Sequence, residues 1–280
     1  MNWLVTLSLG FFSLAVSASG RDIIFPKVDS NVAYSKVADL SFAAADEKIV
    51  YGADPLQYAL LWRAKPLKTT AAKPLIVLIH GGCWLSAYDI QHTYALSTGL
   101  AQAGFNVWSL EYRRTGDKGG GWQGTYDDVK AGIFASANYN KGEFALANSV
   151  LVGHSAGGHL ALLAGGEINH LKGVIGLAAI TDIEEYAAGS NSCQQATKGF
   201  MQGLPQDKPK QYNLANPSKQ SLHVNTLLLQ GAKDNIVPAF ELHKLERQVI
   251  MLDGVGHFDW IHPGSDAFEI LTQSLSELTK

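Results

Sequence analysis

The chain has 280 residues, of which 46% are hydrophobic and 17% are charged, with 28 glycines and 9 prolines. This composition excludes disordered, collagen-like and coiled-coil proteins and predicts a folded globular chain of one or two domains. The 22 basic residues against 25 acidic ones give a net charge of −3, so no basic excess is available to bind nucleic acid.

The first 18 residues have the pattern of a secretory signal peptide. An uncharged apolar stretch runs from Trp3 to Val16 and ends in the small residues Val16-Ser17-Ala18, although no Lys or Arg precedes it. It is shorter than the roughly 20 residues that span a bilayer, and no second long apolar run follows, so we expect no stable membrane span. We therefore expect a secreted or periplasmic protein; an uncleaved interfacial anchor or a buried N-terminal element, with a cytoplasmic location, is the alternative.

An alternation of strands and helices predicts one α/β domain over residues 19–280. Lys48–Tyr51 and Gln57–Trp62 flank an Ala-Asp-Pro turn and predict an antiparallel hairpin at the edge of a sheet. Short apolar runs separated by helical stretches then predict a mostly parallel sheet flanked by helices. The predicted strands are Leu75–Ile79, Phe105–Leu110, Val150–Val152, Val174–Leu177, Thr226–Leu229 and Val249–Leu252, and the predicted helices include Ile90–Ala103, Thr125–Asn138 and Ser155–Gly165.

Residues 181–223 interrupt this alternation. The interval contains Pro205, Pro209 and Pro217 and is too long for a simple crossover between two strands. Long insertions of this kind are typical of active-site lids and binding loops, so we predict a lid or cap here.

The strongest chemical motif is Gly153-His154-Ser155-Ala156-Gly157, which lies between a predicted strand and a predicted helix. Small residues two positions before and after a serine permit a sharp turn that raises its hydroxyl above the edge of the sheet. We therefore predict that Ser155 is a nucleophile.

A serine nucleophile requires a base, and the base requires an orienting carboxylate. Asp234 and His257 follow the next two predicted strands after the insertion, and they should reach the same sheet edge as Ser155. We predict His257 as the base and Asp234 as its partner. Asp182 and the Glu184-Glu185 pair are weaker candidates for the carboxylate.

A second motif, His80-Gly81-Gly82-Cys83-Trp84, also follows a strand. Acyl transfer develops an oxyanion, which is best stabilised by preorganised backbone N–H donors. We assign this role to the amides of Gly82, Cys83 and Ala156, with Gly81 as an alternative to one of them. His80 is a rival to His257, but its glycine-rich context favours the oxyanion role for this loop.

The two cysteines, Cys83 and Cys193, are too few for a disulfide framework, and neither has zinc-ligand spacing. A single disulfide is the alternative to two separate thiols, which we favour because the two segments have different roles. His257 and His262 lack further ligands, so no metal site is expected.

Aromatic residues on the predicted loops are candidates for the substrate pocket. These are Trp84, Trp122, Phe258 and Trp260. Arg113 is expected to form a structural ion pair beneath the site rather than to contact substrate.

Together, the serine and glycine motifs, Gly231-Ala232-Lys233-Asp234 and Gly256-His257 resemble the α/β-hydrolase superfamily. The His-Gly-Gly-x-Trp form is similar to the branch of hormone-sensitive-lipase-like esterases, kynurenine formamidases and feruloyl or acetyl-xylan esterase-like hydrolases. The resemblance covers about residues 46–275 and implies a Ser–His–Asp mechanism without a cofactor, acting on a small-molecule ester or amide.

Two enzymatic functions follow from this resemblance. The first is a serine esterase for short-chain or aromatic esters, and the second is a formamidase that cleaves an N-formyl aryl amide. The predicted signal peptide favours the esterase, because tryptophan breakdown is expected in the cytoplasm. A binding module without catalysis is disfavoured because every expected triad residue is present. The sequence indicates no oligomeric state.

Overall fold

The predicted mostly parallel sheet is confirmed by a computed structural model, which describes residues 22–65, 74–168 and 170–279. The described residues form an eight-stranded sheet in the order β1-β2-β4-β3-β5-β6-β7-β8, and β2 is antiparallel to both of its neighbours. The predicted hairpin is therefore present at one edge. The strands are β1 (Glu47–Val50), β2 (Tyr58–Trp62), β3 (Leu75–Ile79), β4 (Asn106–Leu110), β5 (Ser149–His154), β6 (Gly173–Leu177), β7 (Thr226–Gly231) and β8 (Gln248–Leu252).

Helices cover both faces of the sheet, and the predicted helical stretches agree with them closely. A short 3₁₀ turn, Ile90–Thr93, precedes the second helix. The helices are α1 (Tyr34–Ala38), α2 (Tyr94–Gln102), α3 (Gly124–Asn138), α4 (Ala156–Glu167), α5 (Ile183–Tyr186), α6 (Ser192–Met201), α7 (Pro209–Leu214) and α8 (Asp266–Leu278). None of the helices in the described ranges is long and apolar enough to cross a membrane.

Each face of the sheet has its own apolar core. One core packs α3, α4 and the insertion against the sheet, with Leu160 and Phe200 fully buried. The other packs α2 and α8 against the opposite face, with Leu96 and Leu271 fully buried. Every residue of β3 is buried, as expected for a parallel strand covered on both sides.

The predicted insertion, residues 181–223, folds as a cap that contains α5, α6 and α7. Backbone and side-chain contacts attach it to the rest of the molecule. The amide of Trp122 donates to the Phe200 carbonyl at 2.8 Å, and Asn191 Nδ2 donates to the Ile236 carbonyl at 3.0 Å. The cap is therefore tied to the loops around it at several points.

A disulfide also ties the cap down, and our preference for two separate thiols was wrong. Cys83 and Cys193 form a disulfide, with their Cα atoms 5.0 Å apart and a sequence separation of 110. Their segments do differ, as expected, but α6 of the cap lies over the loop that contains Cys83. The proximity depends on how the cap folds, which the spacing of two cysteines does not reveal.

An N-terminal arm, residues 22–45, packs Val32 and Val37 into the core on the α2 and α8 face of the sheet. The amides of Asn31 and Val32 donate to the two carboxylate oxygens of Asp259, at 2.8 and 2.9 Å. Asp259 is fully buried and also accepts the amide of Gly256 at 3.1 Å. The arm is thus held against the loop that carries His257. The predicted signal peptide lies outside the described residues.

Candidate active site

Ser155 occupies a sharp turn between β5 and α4, as the motif predicted. Its backbone has φ 56° and ψ −121°, a conformation that is costly for a residue other than glycine. The amide of Ser155 donates to the Leu177 carbonyl of the neighbouring strand at 2.8 Å. The rest of the fold therefore holds the serine in this strained position.

The two flanking glycines are required by close backbone contacts. A Cβ atom at Gly153 would lie 2.2 Å from the Gly157 carbonyl oxygen, and one at Gly157 would lie 2.2 Å from that of Ile79. Any side chain at either position would push the turn apart. The small residues of the motif thus have a steric cause.

Asp234 and His257 form a buried hydrogen-bonded pair at the same sheet edge. Asp234 Oδ2 lies 2.7 Å from His257 Nδ1, while its Oδ1 accepts the amides of Ile236 and Val237 at 2.8 and 2.9 Å. The side chain of Asp234 is fully buried, and that of His257 is 95% buried. Because the carboxylate orients Nδ1–H, the Nε2 atom of His257 is left free to act as a base.

Asp182, the alternative carboxylate, has a different role. It accepts the amides of Glu184 and Glu185 at the start of α5, and Lys244 Nζ lies 2.6 Å from its Oδ2. Burial opposes its ionisation, but Lys244, the Glu185 amide and Asn216 together lower the pKa of Asp182 to about 2. This carboxylate anchors the start of the cap.

The loop after β3 provides backbone amides near Ser155. Gly82, Cys83 and Trp84 have φ values of 105°, 54° and 56°, which turn the chain sharply. In the described part of the chain, the amides of Gly82 and Cys83 have no acceptor. The amide of Ala156 begins α4 and has no acceptor within the helix.

His80 supports this loop from below and does not compete with His257. Its Nε2 lies 3.0 Å from Glu111 Oε1, and its ring stacks on Tyr112 at 4.3 Å. Tyr112 Oη donates to the His80 carbonyl at 2.6 Å. Burial disfavours the charged form of Glu111, but His80 and Arg114 lower the pKa of this carboxyl below its usual value. These contacts fix the start of the loop.

A cavity of about 260 Å³ lies over the site. Ser155, His257, Gly82 and Cys83 all line it, so the structure brings together most of the predicted catalytic and oxyanion residues. The remaining lining residues are Tyr34, Leu85, Tyr88, His92, His154, Asn191, Ser192, Cys193, Ile236 and Phe258.

Of the four aromatic residues predicted for the pocket, Phe258 lines the cavity and the three tryptophans do not. Trp84 is fully buried and stacks on Phe200 at 4.6 Å. Trp122 borders a separate cavity, and Trp260 is fully buried in the core beneath α2 and α8. The three tryptophan rings fill the apolar cores on the two faces of the sheet. The position of a residue in a loop does not show whether its side chain points into the core or into the cavity.

The aromatic residues that do surround Phe258 come from unexpected segments. Tyr34 of the N-terminal arm lies 5.4 Å from Phe258 and 5.7 Å from Tyr88, between ring centroids. No local pattern marks Tyr34 as a pocket residue, because the arm reaches the site through contacts that are distant in sequence, such as those of Asp259. Tyr88 lies four residues after the predicted oxyanion loop, and that nearness was the available signal.

Arg113 forms the predicted ion pair. Its Nε and Nη2 atoms donate to the two carboxylate oxygens of Asp128 at 2.7 and 2.6 Å. The pair lies outside the cavity, which confirms the structural interpretation. Among the described residues, no three His, Cys, Asp or Glu side chains are grouped to hold a metal ion.

Comparison with known proteins identifies the family of this chain. The model of the BD-FAE family matches residues 64–249, about two thirds of the chain. A segment of 119 residues is 34% identical to esterase LipC of Mycobacterium tuberculosis (strain ATCC 25618 / H37Rv), covering 42% of this chain and 29% of LipC. The chain thus spans under a third of the length of this relative.

Solved structures share the fold. Esterase B of Lactobacillus rhamnosis superposes with a TM-score of 0.69 and 18% identity, covering 87% of this chain and 90% of that one. A truncated carbohydrate esterase from gut microbiota gives 0.68 and 20%, covering 91% and 99%. An esterase of Pyrobaculum calidifontis gives 0.65 and 18%, covering 88% of each chain. The family model covers more than half of the chain, so the chain belongs to the BD-FAE family, and the solved structures show that it has the α/β-hydrolase fold.

Proposed function

We propose that this protein is a serine carboxylesterase that cleaves short-chain or aromatic acyl esters through an acyl-enzyme. The observation that carries the proposal is the 2.7 Å hydrogen-bond distance between Asp234 Oδ2 and His257 Nδ1, with His257 and Ser155 lining the same cavity. The esterases among its relatives support the same reaction class.

In the first half of the reaction, His257 Nε2 takes the proton of Ser155 Oγ as this oxygen attacks the ester carbonyl carbon. Asp234 stabilises the imidazolium that forms. The negative carbonyl oxygen then accepts hydrogen bonds from the amides of Gly82, Cys83 and Ala156. Each such donor is worth roughly 10²- to 10³-fold in kcat.

In the second half, the imidazolium gives its proton to the alcohol oxygen, and the bond between this oxygen and the acyl carbon breaks. Water then loses a proton to His257 and attacks the acyl carbon. The second tetrahedral intermediate releases the carboxylic acid as Ser155 Oγ regains its proton. The cycle consumes one water and needs no cofactor.

The size and lining of the cavity support a small substrate. Its volume of about 260 Å³ lies below the range of about 300–1,000 Å³ that is typical of ligand pockets. Tyr34, Tyr88 and Phe258 offer aromatic surface to an aryl group. A formamidase reaction on an N-formyl aryl amide is the second candidate, since the same triad and the same aromatic surface would serve it.

We also propose that the protein is exported to the periplasm or the medium. The sequence of residues 1–18 supports this, and so does the disulfide between Cys83 and Cys193, because disulfides persist in oxidising compartments. Cell fractionation that finds the protein only in the cytoplasm would contradict the proposal.

A hydrolysis screen tests the function. It compares p-nitrophenyl esters of increasing chain length, methyl ferulate, acetylated xylan and N-formylkynurenine. Ser155→Ala should lower turnover by roughly 10⁶-fold while the protein stays folded. A matched control is Ser109→Ala, which removes another fully buried hydroxyl, one that has no hydrogen-bond partner within the described ranges.

Two outcomes would change the proposal. If Ser155→Ala retained the activity of the Ser109→Ala control, Ser155 would not be the nucleophile. If the wild-type enzyme cleaved only the formamide, it would be an amidohydrolase rather than an esterase.

A further inference from the structure

His154, the residue before the nucleophile, contacts the loop that carries the catalytic base. Its side chain is 98% buried at the end of β5. Its Nε2 atom lies 3.0 Å from the backbone carbonyl oxygen of His257. A carbonyl oxygen only accepts hydrogen bonds, so Nε2 must carry the hydrogen.

The other ring nitrogen of His154 is buried without a partner among the described residues. It faces the start of the oxyanion loop, where a Cβ atom at Gly81 would lie 3.1 Å from it. Burial is the main cause that lowers the pKa of His154 well below its usual value, and the charge of His257 lowers it further. The ring is therefore a neutral imidazole with one donor, which is directed at His257.

The loop that carries His257 is rich in glycine, so its position depends on contacts with neighbouring residues. Gly254 has φ 80°, and Gly256 precedes the histidine directly, so the backbone here has little intrinsic stiffness. The ring of His154 also packs against the ring of His257, with centroids 4.6 Å apart. One side chain thus holds both the backbone and the imidazole of the base.

We propose that His154 is a positioning residue that sets the distance between Ser155 and His257 by donating its Nε2–H to the His257 carbonyl. The inference rests on the proposed function, since it takes His257 as the base. His154 and Ser155 are consecutive residues at one strained turn. Contact of His154 with His257 therefore couples the position of the base to that of the nucleophile. A shift of the base relative to the nucleophile costs up to about 100-fold in rate.

Two substitutions at this position separate the hydrogen bond from simple packing. His154→Leu removes the donor, and we expect kcat to fall roughly 10- to 100-fold with KM changed less than about twofold. His154→Gln places an amide donor the same number of bonds from the backbone as Nε2. It should restore kcat to within about threefold of the wild-type value.

His159→Leu is the matched control. His159 is also fully buried, its Nε2 lies 2.7 Å from the Ala215 carbonyl, and its Nδ1 is likewise unpartnered within the described chain. It does not contact the His257 loop. We expect His159→Leu to lower thermal stability about as much as His154→Leu does while kcat stays near the wild-type value.

The outcomes distinguish this inference from the proposed function. If turnover depends on Ser155 but His154→Leu keeps the wild-type kcat, or His154→Gln falls as far as His154→Leu, the positioning role is wrong. If Ser155→Ala keeps its activity, the proposed function itself fails. Should His154→Leu not fold, ¹⁵N NMR of the wild-type enzyme decides: a protonated Nε2 and unprotonated Nδ1 support the role, and the opposite tautomer overturns it.

Discussion

Ser155, Asp234 and His257 each follow the carboxyl end of a parallel strand, whereas the walls of the cavity around them come from segments outside the sheet. The strand ends are fixed by the register of β5, β7 and β8. The walls depend on the cap and the N-terminal arm, which are held by a disulfide and by single side chains such as Asp259. The candidate catalytic residues are therefore positioned by the sheet, whereas the cavity walls are positioned by a disulfide and by individual side-chain contacts.

After removal of the nucleophile itself, the largest effect is expected at Asp234, in the region of the strand ends. Asp234→Asn should lower kcat by about 10⁴-fold, because an amide in place of Oδ2 favours the wrong tautomer of His257. Oδ1 can still accept the amides of Ile236 and Val237, so the melting temperature should change little. Steady-state kinetics and thermal denaturation measure the two quantities. A kcat near that of the wild type would show that another group orients the base.

The disulfide tests how far the wall region controls the chemistry. The double variant Cys83→Ser/Cys193→Ser should lower kcat/KM about tenfold, because the freed loop holds its oxyanion amides less firmly. Loss of a cross-link spanning 110 residues should also remove roughly 4–5 kcal/mol of unfolding free energy.

Asn191→Ala provides the comparison for this double variant. It removes different ties of the cap, the hydrogen bonds of Asn191 to the Asn235 and Ile236 carbonyls and its cap on the Gln194 amide at the start of α6, and leaves the disulfide intact. Its effect on kcat/KM and on melting temperature should be smaller. An unchanged kcat/KM in the double cysteine variant would mean that the other contacts of the oxyanion loop, such as those of His80 and Trp84, are enough to hold it.

A smaller effect is expected at the aromatic wall. Tyr34→Ala opens the side of the cavity that faces Tyr88 and Phe258, so kcat/KM for long p-nitrophenyl esters should rise several-fold relative to short ones. Tyr34→Phe keeps the ring and should leave this ratio near the wild-type value. If Tyr34→Ala does not change the ratio, the arm is not part of the specificity surface.

The smallest effect on turnover is expected for Asp182→Asn, since Asp182 anchors the cap outside the cavity. Its folded-state pKa is about 2, below the usual value of 3.8. The carboxylate therefore stabilises the fold above its unfolded pKa of about 4, and this contribution is lost as the pH falls through the folded pKa of about 2. Denaturant unfolding of both proteins should show a difference at pH 7 that shrinks as the pH is lowered to 2. A constant difference would assign the stabilisation to uncharged contacts.

The sequence was informative where a residue's place follows from strand order. The fold and the loop positions of Ser155, Asp234 and His257 were predictable because parallel strands end at one edge and small residues mark the tight turn. Ring direction was not predictable: Trp84 and Phe258 both follow strand ends, yet one turns into the core and the other into the cavity.

Long-range contacts were also out of reach. The bond between Cys83 and Cys193 depends on where the cap lies, and the contribution of Tyr34 depends on a carboxylate more than 220 residues away. Neither contact leaves a periodic or local signal in the sequence. Both lie in the walls, which explains why the reaction class was easier to predict than the substrate.

The carboxylate of Asp259 has a consequence for the order in which the protein matures. It joins Asn31 and Val32 to the loop of His257 across 228 and 227 positions. A growing chain therefore carries its nucleophile turn long before the residues that close the cavity have been synthesised. If the proposed function holds, hydrolytic activity should appear only when almost the whole chain has been synthesised.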